Sequence, residues 1–166
     1  MWRVPGQAEA SKGLNKRMVE ILDIFPTLVD LTGVPKLPRC QGIDQPPTVN
    51  CLQGESYADE FGLTAIPSTP PKKYAFTQWP YPKWGNVTHF RMGYTVRTAD
   101  GYRYTEYVPY NRLTFRGHWS EDSSDPELYD YINDYWETTN WAQNSSYAGI
   151  VAKLKDVLRK QYAPDN

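Results

Sequence analysis

Cysteines, histidines and clustered carboxylates carry much of the chemistry that side chains do, and this sequence holds few of them in productive spacing. Its two cysteines, Cys40 and Cys51, flank a loop that contains Pro and Gly. Zinc-type sites want closely spaced pairs and four ligands, and nothing here completes such a set. Two readings of the pair stand: a local disulfide, which is preferred, and two reduced thiols. Closing so short a loop would stabilise by about 3 kcal/mol at most. The histidines, in His89-Phe90 and His118-Trp119, lie outside any ligand-spaced motif, which predicts packed or surface imidazoles. No Gly-x-Ser-x-Gly elbow, phosphate-cradling glycine loop or His-Glu-x-x-His helix occurs. The acidic run Glu121 to Glu127 lacks the alternating ligands and mid-loop glycine of a calcium loop and reads as a solvated turn. No pair among 19 carboxylates is singled out for acid–base work. The expected catalytic and metal-binding residues of this chain are therefore none.

Aromatic side chains are the other resource. Thirteen tyrosines and six tryptophans are high counts for 166 residues. Trp79, Tyr81, Trp84 and Trp119 could furnish a sugar-stacking face, but core packing and pocket lining are the preferred roles. Asn86-Val87-Thr88 and Asn144-Ser145-Ser146 fit the N-glycosylation pattern. With the cysteine pair they point to the secretory pathway, yet Met1 to Gly6 does not resemble a signal peptide. The expectation is that polypeptide is missing upstream. A net charge of −1 argues against general nucleic-acid binding, and no apolar run approaches the roughly 18 to 20 residues of a membrane helix.

These residues need elements to hold them. Arg3 to Gly6 reads as a strand tail entering a turn. Leu22, Phe25, Leu28, Val29 and Leu31 recur at helical spacing, Gly33 suits the position just past a helix, and Pro35 stops continuation. Pro26 restricts the helix to starting about a turn before it. The apolar stripe is expected to be core. Lys36 to Pro71 is rich in Pro and Gly and long for a loop inside a compact domain, with a short helix near Glu55 to Phe61. Strand patterns follow at Tyr74–Trp79, Met92–Thr98 and Tyr102–Tyr107, the last two joined through Asp100-Gly101 as a hairpin. Alternation puts Tyr94 and Val96 on one face, and Tyr102, Tyr104 and Glu106 opposite Arg103, Thr105 and Tyr107. Glu127–Asp130 adds a short strand. A closing helix runs from about Tyr147 to Gln161, with Ile150, Val151, Leu154, Val157 and Leu158 inward and Lys153, Lys155, Arg159 and Lys160 outside or near its carboxyl end. The predicted fold is α+β, a small antiparallel sheet packed with a C-terminal helix.

Three segments together resemble the sulfatase family. Val19 to Gly33 is similar to the Asp-[Ile/Leu]-Phe-Pro-Thr-Leu helix near the end of the sulfatase catalytic domain. Ala75-Phe76-Thr77-Gln78, then Met92 to Thr98 and Tyr102 to Thr105, resemble the C-terminal hairpin of the iduronate-2-sulfatase branch. Glu127-Leu128-Tyr129-Asp130, with Asn133-Asp134 and Glu137 to Asn140, looks like the tail that precedes the last helix. The likeness runs from about Arg3 to the end, and the cysteine pair falls where that branch carries a local disulfide.

The resemblance implies three parts. Residues 1–35 would end the catalytic domain, 36–72 would form a disulfide-containing wrapping loop, and 73–166 would make the antiparallel subdomain. It implies a parent enzyme, lysosomal or secreted, that hydrolyses sulfate esters on glycosaminoglycans with a formylglycine and a calcium ion. Neither cysteine here fits the formylglycine motif, so those groups would belong to a missing N-terminal catalytic domain, the expected partner. Trp79, Tyr81 and Lys83 become candidates for the pocket rim, although Tyr81 stands where the family often carries arginine. Tyr107 stands where tryptophan is common, and Tyr135 where proline usually continues the turn. The chain alone would be scaffold and rim; the alternative is a non-enzymatic secreted glycan-binding module that uses exposed aromatics.

Overall fold

The computed structural model describes residues 4–6, 16–40, 50–62, 69–82, 90–119 and 124–163. The chain divides into two compact units, Met1–Lys72 and Lys73–Asn166. The first therefore holds both the expected helix and the cysteine-bearing stretch. Pro5 and Gly6 form a turn; most of the strand tail expected before them falls outside the described residues.

Unit one is organised by polar groups on a short helix. A 3-10 turn, Ile21–Asp23, leads into α1, Ile24–Thr32, which places Pro26 in the first turn, where a missing N–H costs little. Gly33 ends the helix at φ 70°, and its N–H donates to the Val29 carbonyl. Asp23, buried, accepts from the N–H of Glu20 at 2.8 Å, the N–H of Glu55 at 2.8 Å and Lys72 Nζ at 2.7 Å. One turn on, the Thr27 hydroxyl donates to the Asp23 carbonyl and accepts from the Tyr57 N–H. Gly54 passes so close to this helix start that a Cβ there would lie 2.0 Å from the Leu22 carbonyl oxygen. The 3-10 turn Ala58–Phe61 matches the short helix expected near there.

The buried face of α1 corrects the sequence expectation. Asp23, Pro26, Thr27 and Val29 turn inward, whereas Leu22, Phe25 and Leu28 are exposed, as is Ile21 at 87%. Hydrogen-bonded anchors, rather than the apolar stripe, fix the helix's orientation here.

Unit two is an antiparallel sheet with a helix on one face. The strands are β1 (Tyr74–Pro82), β2 (Phe90–Thr98), β3 (Tyr102–Asn111), β4 (Arg116–Gly117) and β5 (Ser124–Asp130). Their order is β1-β2-β3, with β4 and β5 both pairing with β3. The β2–β3 hairpin turns through Ala99-Asp100-Gly101, with Gly101 at φ 99°. Helix α2, Ala148–Tyr162, lays Leu154 and Leu158 onto Tyr94, Val96, Tyr104, Val108 and Leu128. Tyr94, Trp119 and Tyr162 close one end, with the Tyr94 ring 4.7 Å from Trp119 and 4.6 Å from Tyr162. Burial pushes the Tyr94 phenol far above its usual range. Trp119 is thus core, not part of a sugar-stacking face.

The core also holds a charge. Glu106 is 0% exposed and accepts from Tyr104 Oη at 2.8 Å and Arg159 Nη2 at 3.1 Å. Arg159 stands in the last turn of α2, near the carboxyl end as the sequence predicts, and bends back over the sheet, its guanidinium 5.9 Å from the Trp119 ring. Helical spacing from Leu158 put it beside the core, and the buried carboxylate pulls it in.

Candidate functional site

The rim residues lie on β1. Register fixes the face they share. Trp79 pairs with Gly93, which pairs with Tyr107; Thr77 pairs with Thr95, which pairs with Thr105. These residues line the side of the sheet away from α2, because Tyr94, Val96, Tyr104 and Val108 occupy the alternate positions. Trp79 and Tyr81 are both exposed. Lys83 and Trp84 lie outside the described residues.

Gly93 is the residue that shapes this face. A Cβ there would meet the Tyr107 ring at 3.1 Å. Without one, Tyr107 leans over β2 and brings its ring to 5.1 Å from Tyr81. The Tyr107 hydroxyl bonds to Glu127 at 3.2 Å, and burial followed by that carboxylate pushes its pKa up to about 12. Thr95 and Thr105 share a hydroxyl–hydroxyl bond of 2.8 Å. Toward the hairpin, the Arg103 guanidinium lies 5.0 Å from the Tyr129 ring and binds Glu137 through both Nε, at 2.6 Å, and Nη2. Burial raises the Tyr129 and Tyr131 phenols as well.

The arrangement can stack rings and exchange hydrogen bonds. Raised as they are, the Tyr107, Tyr129 and Tyr131 phenols keep their protons near neutrality. Sequence reasoning placed Tyr107 on this face but gave no sign of its contact with Tyr81. The bare position at Gly93 within a strand was the available signal.

The remaining expected sites fall elsewhere. Cys40 and Cys51 form a disulfide with Cα atoms 5.0 Å apart, beside backbone bonds from Cys40 to Leu52 and from Leu52 to Pro38. Both sulfurs are consumed, so neither can be a formylglycine precursor. Among the described residues no three His, Cys, Asp or Glu side chains converge as a metal site. Among the described residues there is neither a calcium ligand set nor a free cysteine for a formylglycine. Asn144 is exposed, and its side-chain oxygen accepts from the Ser146 N–H. Asn86 and His89 lie outside the described residues. His118 is exposed, with its backbone N–H donating to the Pro109 carbonyl. Among the described residues no helix is long and apolar enough to cross a membrane.

No family model matches the chain. It is 29% identical over 153 residues to the iduronate 2-sulfatase of Mus musculus and 30% identical over 152 residues to that of Homo sapiens. These matches cover 83% and 82% of the chain, which spans 27% of the length of either relative. Among solved structures, a candidate sulfatase of Bacteroides thetaiotaomicron superposes with TM-score 0.53 at 24% identity, over 83% of this chain and 23% of that one. The phosphonate monoester hydrolase of Agrobacterium radiobacter gives TM-score 0.62 at 20% identity, over 96% and 28%. At such identities the structures speak for the fold, a small antiparallel sheet with a C-terminal helix. In sequence the chain is iduronate-2-sulfatase-like and corresponds to a C-terminal part of those relatives, and in fold it shares the small antiparallel sheet and C-terminal helix of its structural neighbours.

Proposed function

We propose that this chain is the C-terminal portion of a sulfuric ester hydrolase acting on sulfated glycosaminoglycans, and that it serves that enzyme as scaffold and pocket rim. The observation that carries the reading is the match to two iduronate 2-sulfatases over more than four-fifths of the chain. The ester-cleaving groups, a formylglycine and a calcium ion with its ligands, belong to polypeptide outside these 166 residues. The exposed apolar residues of α1 and of the turn before it, Phe25, Leu28 and Ile21, would pack against that polypeptide. Trp79 and Tyr81 would form the rim, stacking on the sugar while the sulfate is held elsewhere. A lysosomal or secreted location agrees with the Cys40–Cys51 disulfide, since such bonds persist in oxidising compartments.

The test compares two proteins on 2-O-sulfated iduronate disaccharides and on other sulfated sugars. A full-length protein that contains this chain and a formylglycine cysteine releases sulfate; residues 1–166 alone release none. Sulfate release by the isolated chain would overturn the reading. So would a full-length protein that binds sulfated glycan and never turns it over, an outcome that favours the glycan-binding module instead.

A further inference from the structure

The turn between β5 and α2 carries three exposed apolar side chains on an immobilised backbone. Trp136 is 81% exposed, Ile132 70% and Tyr135 69%. Exposed single apolar residues are ordinary, but three within five positions on a rigid turn are not.

The rigidity comes from carboxylate acceptors, one of them buried. Asp130, almost fully buried, accepts from the N–H groups of Ile132 and Asn133, the Asn133 amide and the Tyr147 hydroxyl. Asp134 accepts from the Thr138 hydroxyl and the Thr139 N–H. Glu137 sits at φ 55°, an unfavourable conformation for a residue with a Cβ. It is held there by Arg103 and by the Tyr131 hydroxyl. Tyr131 also ties back to the hairpin, its N–H donating to the Gly101 carbonyl at 2.8 Å.

The rings themselves form a ladder. The Arg97 guanidinium lies 3.9 Å from the Tyr131 ring centre, Tyr131 meets Tyr135 edge-on at 6.4 Å, and Tyr135 meets Trp136 at 5.1 Å and 86°. Two exposed rings at a right angle make a corner with two aromatic walls, and the exposed Arg97 cation packs on Tyr131, the next ring along the ladder.

We propose that Tyr135 and Trp136 form a stacking platform for a pyranose ring of an anionic oligosaccharide, with Arg97 contacting its charged substituent. The corner is far smaller than the roughly 800 Å² per partner that a stable protein interface requires. It suits a compact ligand with an apolar face and a polar rim, which a sugar ring is. A preformed platform also holds its side chains in place before the ligand arrives, so little ordering opposes binding. As an accessory site on a glycosaminoglycan-cleaving enzyme, it rests on the function proposed above.

The experiment uses the full-length protein that contains this chain, with a dermatan sulfate tetrasaccharide and its desulfated counterpart as probes. Binding is measured calorimetrically, independently of turnover. Trp136→Ala and Tyr135→Ala each weaken the sulfated probe about tenfold, the size expected for one good aromatic contact. Trp136→Phe restores most of the affinity, and Arg97→Ala weakens the sulfated probe but not the desulfated one. Hydrolysis of a small aryl sulfate, too short to reach the platform, is unchanged in all variants. Unaltered affinity in Trp136→Ala overturns the proposal. So does a Trp136 shielded from acrylamide quenching in the unliganded full-length protein, compared with the Trp136→Phe variant, since the corner would then be filled by protein. An absence of sulfate release with these binding effects intact would refute the enzymatic reading and leave the platform standing.

Discussion

Arg159→Met isolates a charge pair of the sheet–helix core in which the carboxylate is wholly buried. In the native chain the Glu106 carboxylate, wholly buried, is met by Arg159 Nη2 at 3.1 Å and Tyr104 Oη at 2.8 Å. Removing one partner of a buried pair costs about 3–5 kcal/mol, because the other charge is left without compensation. Two features place this case at the low end. The Arg159 side chain is one-third exposed, and its buried Nε has no acceptor among the described residues, so the native pair is itself imperfect. Tyr104 would still donate to the carboxylate. A loss of about 3 kcal/mol corresponds to a more than hundredfold rise in the opening equilibrium. Amide hydrogen exchange of β3 and α2 reads that equilibrium directly and works in the full-length protein. Methionine conserves most of the packing of the arginine stem, so the effect reports charge rather than volume. Adding Glu106→Gln should then restore protection to within about tenfold of native, since a neutral amide can still accept from Tyr104. If Arg159→Met raises exchange by less than tenfold, or if the double variant exchanges as fast as the single one, the pair does not hold α2 to the sheet.

Three further outcomes follow from unit one and the β5–α2 turn. Gly54→Ala forces a methyl to 2.0 Å from the Leu22 carbonyl oxygen, so it should displace Glu55 from Asp23 and abolish protection of α1 amides; wild-type exchange in this variant would refute the close approach. Reducing Cys40–Cys51 under native conditions, or replacing both residues with alanine, should cost about 3 kcal/mol for an eleven-residue separation and loosen residues 50–57, as read by limited proteolysis. Burial opposes ionisation of Asp130, but donors from Asn133, Tyr147 and the Ile132 N–H outweigh it and hold the group below the usual 3.8. A carboxylate depressed on folding stabilises fully above its unfolded pKa and loses that contribution as pH falls through the folded value. The turn should therefore hold at pH 5 and open only below pH 3.8, whereas Asp130→Asn should be loose at both; tryptophan fluorescence against pH distinguishes them.

The two helices show what the sequence could tell and what it could not. Both carry apolar residues at the spacing of one helical face. For α2 the stripe landed where expected, with Leu154 and Leu158 buried and Ile150, Val151 and Val157 packed around them. The hairpin was equally legible: strict alternation across an Asp-Gly turn leaves one register that buries Tyr94, Val96 and Tyr104 together. Polar burial was not legible. Glu106, Asp23 and Asp130 look like surface carboxylates in a one-dimensional pattern, and their burial becomes tolerable once donors from other elements, Arg159, Lys72 and Tyr147, join the local ones. The aromatic face suffered similarly. Composition announced many rings, but which ones reach solvent depends on register, and Tyr107 meets Tyr81 only because Gly93 leaves room between them.

Helix α1 then gives the mismatch a meaning. A hydrophobic period states that a face is to be covered and says nothing about what covers it. In this chain the anchoring of α1 comes from Asp23 and Thr27, and Ile21, Phe25 and Leu28 remain open to water. Fully burying a large apolar side chain is worth on the order of 1.5–3 kcal/mol, so Ile21, 87% exposed, forfeits nearly all of that, and Phe25 and Leu28, at 54% and 44%, about half. A stripe kept so regular is explained by a cover. On the proposed reading that cover is the catalytic polypeptide of the same enzyme.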